Sequence, residues 1–155
     1  MATGSVIRLT SPCTLRHRGL AVRMVAEACR LARGDGSSPD DQSLTYDLRD
    51  PFDAELVSAF AEIYNNIVLH AYRRRDGETI EIAIHVSPGA MTVEIRDNGS
   101  TFDLSSVPEP DLDSLPEGGM GLHIARAMLD EVVYEPGPPN LWRLTKRHQA
   151  ATTAS

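Results

Sequence analysis

The feature that most limits the fold of this chain is a pair of alternating apolar runs separated by a turn. Isoleucine or valine occupies positions 80, 82, 84 and 86, and a second alternating run follows at Met91, Val93 and Ile95. Successive side chains of a strand point to opposite faces of a sheet, so each run places its apolar residues on one face. The intervening Ser87-Pro88-Gly89-Ala90 is typical of a turn. The sequence therefore predicts an antiparallel hairpin with one buried face.

Three helices are predicted around this hairpin from apolar residues at helical spacing. The first begins at Ser11-Pro12, the second runs from Asp53 as N-cap to Arg74, and the third follows Gly121. Their expected apolar stripes are Leu20, Met24, Ala28 and Leu31 in the first helix; Leu56, Phe60, Ile63, Tyr64, Ile67 and Ala71 in the second; Leu122, Ala125, Met128 and Leu129 in the third.

Short β-rich runs at 6–9, 132–134 and 142–145 predict three further strands. Helices and strands in this order indicate an α+β fold, a two-layer α/β sandwich with three helices on one face of a mixed, mostly antiparallel sheet. We expect a single domain over 5–147 and a disordered tail over 148–155.

Composition narrows the classes of function. The 155 residues include 15 Lys+Arg against 22 Asp+Glu, a formal charge of −7, which disfavours direct binding to nucleic acid or to anionic lipid. Cys13 and Cys29 stand alone, so neither a zinc site nor a disulfide is predicted, and Cys29 is expected in a helix core. No signal sequence and no apolar run of ~20 residues is present, which predicts a cytoplasmic protein.

The first candidate motif lies on the second helix. Glu62, Asn66 and His70 are spaced by four residues and so lie along one side of the helix. Asn is a poor helix former, yet Asn65 and Asn66 sit in mid-helix, which is typical of a functional site. The Asn66 oxygen suits Mg²⁺, and Glu62 can accept a proton or orient a water. The alternative is an ordinary solvated polar face.

The second motif, Asp97-Asn98-Gly99, follows the second hairpin strand. A carboxylate there can accept a hydrogen bond from an exocyclic amine such as adenine N6, and Gly99 lets the backbone approach the ring. The alternative is a plain turn, because Asp-Asn-Gly is also a turn sequence.

The third motif, Gly118-Gly119-Met120-Gly121, immediately precedes the third helix. Its backbone N–H groups can face phosphate oxygens, although it is neither a P-loop nor a dinucleotide fingerprint. The alternative is a hinge. The aperiodic stretch from Phe102 to Glu117 predicts a long loop, and such loops are often functional lids.

Together the three motifs resemble the ATP-binding fold, of Bergerat type, shared by gyrase, the histidine kinases and MutL. Glu62, Asn66 and His70-Ala71 look like its N box, Asp97 and Gly99 like its first glycine box, and Gly119, Gly121 and Leu122 like its second. Over roughly residues 5 to 147 the chain most resembles the bacterial anti-sigma-factor serine kinases of partner-switching systems.

This resemblance implies ATP and Mg²⁺ as cofactors, with Asn66 holding Mg²⁺, Glu62 as general base and Asp97 reading adenine. It also implies a lid over about 103–117. The further nucleotide-binding residues would be His70, Gly99, Gly118, Gly119, Met120, Gly121 and Leu122. The implied partners are a sigma factor or similar regulator, a small STAS-type antagonist that accepts phosphate, and a second copy of the chain in a homodimer.

Two departures and two alternatives accompany the resemblance. Thr101 replaces the second glycine of the first glycine box, and the lid region is acidic, without Lys or Arg. A non-catalytic adaptor that acts by sequestration alone is therefore the competing function. A detached histidine-kinase domain is a third interpretation, disfavoured because His17 and His70 lie in the wrong contexts for a phosphoacceptor.

Overall fold

The computed structural model describes residues 4–33, 49–102 and 120–148. The elements are β1 (Ser5–Pro12), α1 (Leu15–Arg33), α2 (Pro51–Asn66) with a π-helical turn (Ile67–Ala71), β2 (Thr79–Ser87), β3 (Ala90–Asp97), α3 (Met120–Met128), β4 (Glu131–Glu135) and β5 (Asn140–Arg147). The predicted lid, Gly118, Gly119 and residues 149–155 of the predicted tail lie outside the described residues.

The five strands form one sheet in the order β1-β2-β3-β5-β4. Every neighbouring pair is antiparallel, so among the described strands the sheet has no parallel pair, where the sequence suggested a mixed sheet. The predicted α+β class is confirmed, with β3 at the centre of the sheet.

The predicted hairpin is present as β2 and β3. Ile84 pairs with Val93 and Ile82 with Ile95, all on the buried face. Only Pro88 and Gly89 lie between the strands, and Gly89 has a φ of 77°, which glycine adopts without steric cost. The alternation therefore places an unbroken apolar surface under the helices.

Helix α2 lies between α1 and α3 and fills the core. Its predicted stripe is confirmed, because Leu56, Phe60, Ile63 and Tyr64 are completely buried and Ile67 nearly so. Lys146 of β5 ties the layers together: its Nζ lies 2.5 Å from a carboxylate oxygen of Glu55 and donates to the Met128 carbonyl at 2.6 Å.

Helix α1 differs from the prediction in both its start and its face. Ser11 and Pro12 belong to β1, and the helix begins at Leu15. Ala28 is buried, but Leu20 and Leu31 are 58% and 45% exposed. The other residues of the buried face are small or β-branched and lie one position after the predicted ones, namely Ala21, Val25, Cys29 and Ala32. Small side chains allow α1 to pack closely on α2 and the sheet.

Helix α2 also differs at both ends. Asp50 is the N-cap, and its side chain accepts a hydrogen bond from the Phe52 N–H at 2.9 Å. Pro51 suits the first helical position because it has no N–H to satisfy. The predicted cap, Asp53, is instead fully buried in the first turn. At the other end the helix widens into the π-turn and stops at Ala71 rather than at Arg74.

The remaining elements agree with the sequence. Leu122 and Ala125 of α3 are buried, as is Leu129 just after the helix, while Met128 is half-buried; β4 and β5 include the predicted strand residues. Cys13 and Cys29 are buried, and neither forms a disulfide. Burial raises the pKa of Cys13 to about 12, so its thiol stays neutral. Within the described ranges, no helix is both long and apolar enough to cross a membrane.

His148, the first residue of the predicted tail, is joined to the domain. Its backbone N–H donates to the Gly89 carbonyl at 2.6 Å, and its ring lies 5.6 Å from the Phe52 ring.

Candidate nucleotide site

A cavity of about 150 Å³ opens where the π-turn meets the ends of β3 and β5. Three of the predicted site residues, Asn66, His70 and Asp97, line it together. The other lining residues are Ile67, Ala71, Arg73, Ser100, Thr101, Phe102, Tyr134 and Trp142. The structure thus brings the first and second motifs, about 30 residues apart in sequence, to one cavity.

Asp97 is the buried acid of this site, with 2% of its surface exposed. Its Oδ1 accepts hydrogen bonds from the Gly99 N–H at 2.9 Å and from Asn140 Nδ2 at 3.0 Å. Burial raises the pKa of Asp97, and these two hydrogen bonds oppose the rise. Among the described residues, no hydrogen bond to the other carboxylate oxygen, Oδ2, is present.

Asn140 holds this arrangement and was not identified from the sequence. It is 1% exposed, and its Nδ2 donates to Asp97 Oδ1 and to the Gly99 carbonyl at 2.9 Å. Its Oδ1 accepts the Gly137 N–H at 2.9 Å. Asn140 is directly opposite Asp97 in the β3–β5 register. Only that register reveals the pairing, because the two residues lie far apart in sequence.

Gly99 is placed where a side chain cannot fit. A Cβ at this position would lie 2.7 Å from the backbone C and O and from the Cβ of Ala71. The adjacent Ser100 N–H donates to the Ala71 carbonyl at 2.9 Å, which fastens the second motif to the π-turn. The Asp97-Asn98-Gly99 segment therefore bends back against the π-turn, and Asp97, the last residue of β3, lines the cavity.

Tyr72 stabilises the same region through two hydrogen bonds of its hydroxyl. Its hydroxyl donates to the Thr79 carbonyl at 2.8 Å and accepts the Asn98 N–H at 2.7 Å, so it joins the start of β2 to the end of β3. Burial raises the pKa of Tyr72, which keeps the hydroxyl protonated and able to donate.

An aromatic wall closes another side of the cavity. The rings of Tyr134 and Trp142 lie 4.4 Å apart, and Phe102 lies 6.4 Å and 6.3 Å from them. The Phe102 N–H donates to the Tyr134 hydroxyl at 2.8 Å. Flat apolar surfaces beside a hydrogen-bond acceptor suit a planar heteroaromatic ligand. The sequence predicts these residues in strands or at the start of the loop and indicates no role for them in the site.

The two mid-helix asparagines have different surroundings. Asn65 accepts a hydrogen bond from Arg18 of α1 at 2.9 Å and so joins two helices. Asn66 is half-buried and lines the cavity. Past the π-turn, Arg73 and Arg74 have φ values of 50° and 59°, a left-handed conformation unusual for non-glycine residues, and Arg73 also lines the cavity.

Glu62 does not line the cavity. It lies about one helical turn before Asn66 and faces Gly121 at the start of α3. A Cβ built on Gly121 would lie 2.5 Å from Glu62 Oε2. The structure therefore brings Glu62 to the third motif, whereas Asn66 and His70 are brought to the second.

Two further predicted residues, Met120 and Leu122, lie at the start of α3. Met120 is the first residue of α3, and its side chain lies outside the described part. Leu122 is buried in the core with 1% exposure, so its side chain contributes to packing.

An antiparallel sheet covered by three helices defines an α+β domain, and one cavity of this domain is lined by a buried carboxylate and aromatic rings. The sequence pattern of the histidine kinase-like ATPase domain matches residues 12–146, most of the chain. The chain belongs to the histidine kinase-like ATPase domain family, which confirms the resemblance noted from the motifs.

Several curated proteins are similar over a shorter stretch. A serine-protein kinase RsbW of Bacillus pumilus is 33% identical over 88 residues, covering 50% of this chain and 54% of that protein. An anti-sigma F factor of Clostridium botulinum is 29% identical over 86 residues, covering 53% and 60%. The RsbW kinase of Bacillus subtilis is 30% identical over 86 residues. The chain spans little more than half the length of the curated relatives it matches.

Proposed function

We propose that the chain binds ATP with Mg²⁺ in the cavity, sequesters a sigma factor or similar regulator, and phosphorylates a serine of a small antagonist protein. The observation that carries the proposal is the meeting of Asn66, His70 and Asp97 at one cavity. The names of the relatives, a serine-protein kinase and an anti-sigma factor, support the choice of reaction and partners.

Adenine recognition follows from the hydrogen bonds of Asp97. Oδ1 is occupied by Gly99 and Asn140, so Oδ2 is the oxygen that would accept the adenine N6 amine. The base would lie against the aromatic wall of Phe102, Tyr134 and Trp142.

The metal assignment rests on the chemistry of the donors. Among the described residues, no three His, Cys, Asp or Glu side chains cluster in the way that a dedicated protein metal site requires. Mg²⁺ on a nucleotide does not need such a cluster, because phosphates and waters supply most of its ligands. Asn66, whose amide oxygen is a hard ligand, would hold the ion, and the ion would neutralise charge on the phosphates.

Glu62 is the proposed general base. In the transfer, the serine hydroxyl oxygen forms a bond to the γ-phosphorus while the bond from that phosphorus to the β–γ bridging oxygen breaks and ADP leaves. The hydroxyl proton passes to the Glu62 carboxylate. A position beside the cavity and not in its lining suits a base that contacts the protein substrate, since the lining is left for the nucleotide.

Replacing Glu62 tests the reaction directly. A general base contributes ~10² to 10⁴ in rate, so Glu62→Ala should slow phosphate transfer from radiolabelled ATP to the antagonist by about that factor. ATP affinity and sigma-factor binding should change little. Glu81→Ala, which removes an exposed carboxylate on β2, is the matched control and should transfer at the wild-type rate. A Glu62→Ala protein as fast as wild type would remove Glu62 from the mechanism.

The adaptor is the second candidate, and the observation in its favour is that the predicted lid, residues 103–117, contains no Lys or Arg that could neutralise a γ-phosphate. An adaptor would bind nucleotide and regulator without chemistry. Wild-type protein that binds ATP and the antagonist but never transfers phosphate would support the adaptor over the kinase.

A further inference from the structure

The contact between Gly121 and Glu62 is closer than packing alone requires. A Cβ at position 121 would lie 2.5 Å from Glu62 Oε2, 3.1 Å from its Cβ and 3.2 Å from its Cδ. These three nearest atoms all belong to Glu62. The Glu62 side chain therefore lies folded along the Cα of Gly121, in the space that any other residue would fill.

We infer that Gly121 is a positioning residue for Glu62, and that its lack of a side chain holds the carboxylate in place. The inference rests on the proposed function, in which Glu62 is the base, and it gives Gly121 a role different from binding phosphate. On the side where a Cβ would point, Gly121 faces a protein carboxylate and not open space for a ligand.

The atoms that an added Cβ would meet predict the effect of Gly121→Ala. The atom nearest to the missing Cβ is the end of a flexible side chain, so Gly121→Ala can be accommodated if Glu62 changes rotamer and its Cβ, 3.1 Å away, shifts by a few tenths of an ångström. Displacement of a catalytic group by about 1 Å can cost ~10²-fold in rate. Gly121→Ala should therefore fold, move the Glu62 carboxylate and slow phosphate transfer, while the cavity that holds the nucleotide is untouched.

The contrast with two other glycines supports this reading. At Gly99 the colliding atoms include backbone atoms of Ala71, which cannot rotate away. At Gly19 of α1, no atom lies within 4 Å of the added Cβ. Gly121 is the intermediate case, in which the only strong collision is with one carboxylate, and Gly19→Ala provides a matched Gly-to-Ala control.

The experiment measures steady-state phosphate transfer by wild type, Gly121→Ala, Glu62→Ala, the double variant and Gly19→Ala. We expect Gly121→Ala to lower kcat by ~10²-fold with the KM for ATP within about twofold of wild type. In the Glu62→Ala background the same change should have no further effect, because the group being positioned is gone. The NMR resonance of the Glu62 side-chain carboxyl carbon should shift in Gly121→Ala and stay in place in Gly19→Ala.

The outcomes separate the inference from the proposed function. A raised KM for ATP with unchanged kcat in Gly121→Ala would overturn the inference and assign the glycine to phosphate binding. Inactive Glu62→Ala with fully active Gly121→Ala would overturn the inference alone. Fully active Glu62→Ala would overturn the proposed base and the inference with it. If Gly121→Ala fails to fold, recovery of folding in the double variant supports the contact, and failure of both overturns it.

Discussion

Asp97 is a carboxylate that is buried at the edge of the cavity. Its carboxylate loses water, which raises its pKa, and only Gly99 and Asn140 among the described residues compensate through hydrogen bonds. Ionisation of Asp97 therefore costs the folded state more than the unfolded chain. The site keeps a destabilising charge, as binding sites often do when the charge serves a ligand.

The direction of this pKa shift predicts how the stability of the protein changes with pH. Because the folded pKa is raised, the stability associated with a protonated Asp97 is complete below the unfolded value of about 3.9 and is lost as the pH rises through the folded value. Asp97→Asn keeps the Oδ1 acceptor and removes the charge, so its melting temperature at pH 7 should equal or exceed that of wild type. The difference should disappear as the pH falls below about 4.

Thermal unfolding monitored by circular dichroism across this pH range checks the prediction. Asp76→Asn, at an exposed position after the π-turn, is the matched control and should melt like wild type throughout. An Asp97→Asn protein that melts well below wild type at pH 7 would show that the charged form stabilises the fold.

Among the secondary-structure elements, the hairpin could be predicted because apolar residues at every second position are typical of a strand with one buried face. The buried face of α1 could not, because apolar residues occur on more than one side of that helix. Leu20 and Leu31 are exposed, whereas Ala21 and Val25 are buried. Which side is buried depends on how closely α1 can approach its neighbours. This depends on tertiary packing and cannot be read from the spacing of apolar residues.

The π-turn is a second element that the sequence did not predict. It ends α2 at Ala71 and directs the following chain so that the Ala71 carbonyl accepts the Ser100 N–H. Turns of this kind inside helices frequently occur at functional sites. Here the turn joins α2 to the end of β3 and forms one wall of the cavity.

Replacement of Gly99 tests this junction. The added Cβ of Gly99→Ala would collide with Ala71 at 2.7 Å, which should destabilise the fold by about 1 to 3 kcal/mol, as overpacking does. Gly19→Ala, in open space on α1, should instead be neutral or stabilise by up to about 1 kcal/mol, because alanine is the better helix former. Urea unfolding of the two variants measures the difference. Equal stabilities would contradict the close approach of Gly99 and Ala71.

At the scale of the whole molecule, the sheet assembles the site from distant parts of the sequence. Asp97 and Asn140 meet because β3 and β5 are neighbours, and Asn66 reaches them from the helical layer. The motifs predicted Asn66, His70 and Asp97, because those residue types stand out at unusual positions. Asn140, Tyr134 and Trp142 gave no such signal, since their roles depend on strand order and register.

The most direct test of the account is titration calorimetry of the wild-type chain with MgATP, with Asp97→Asn as the comparison. We expect wild type to bind with one site per chain. Asp97→Asn should lose about 1 to 3 kcal/mol of binding free energy, because it places an amide donor opposite the adenine amine. MgGTP, which presents a carbonyl at the corresponding ring position, should bind weakly to wild type. The absence of MgATP binding by wild type at millimolar concentration would contradict the central claim that this cavity is a nucleotide site.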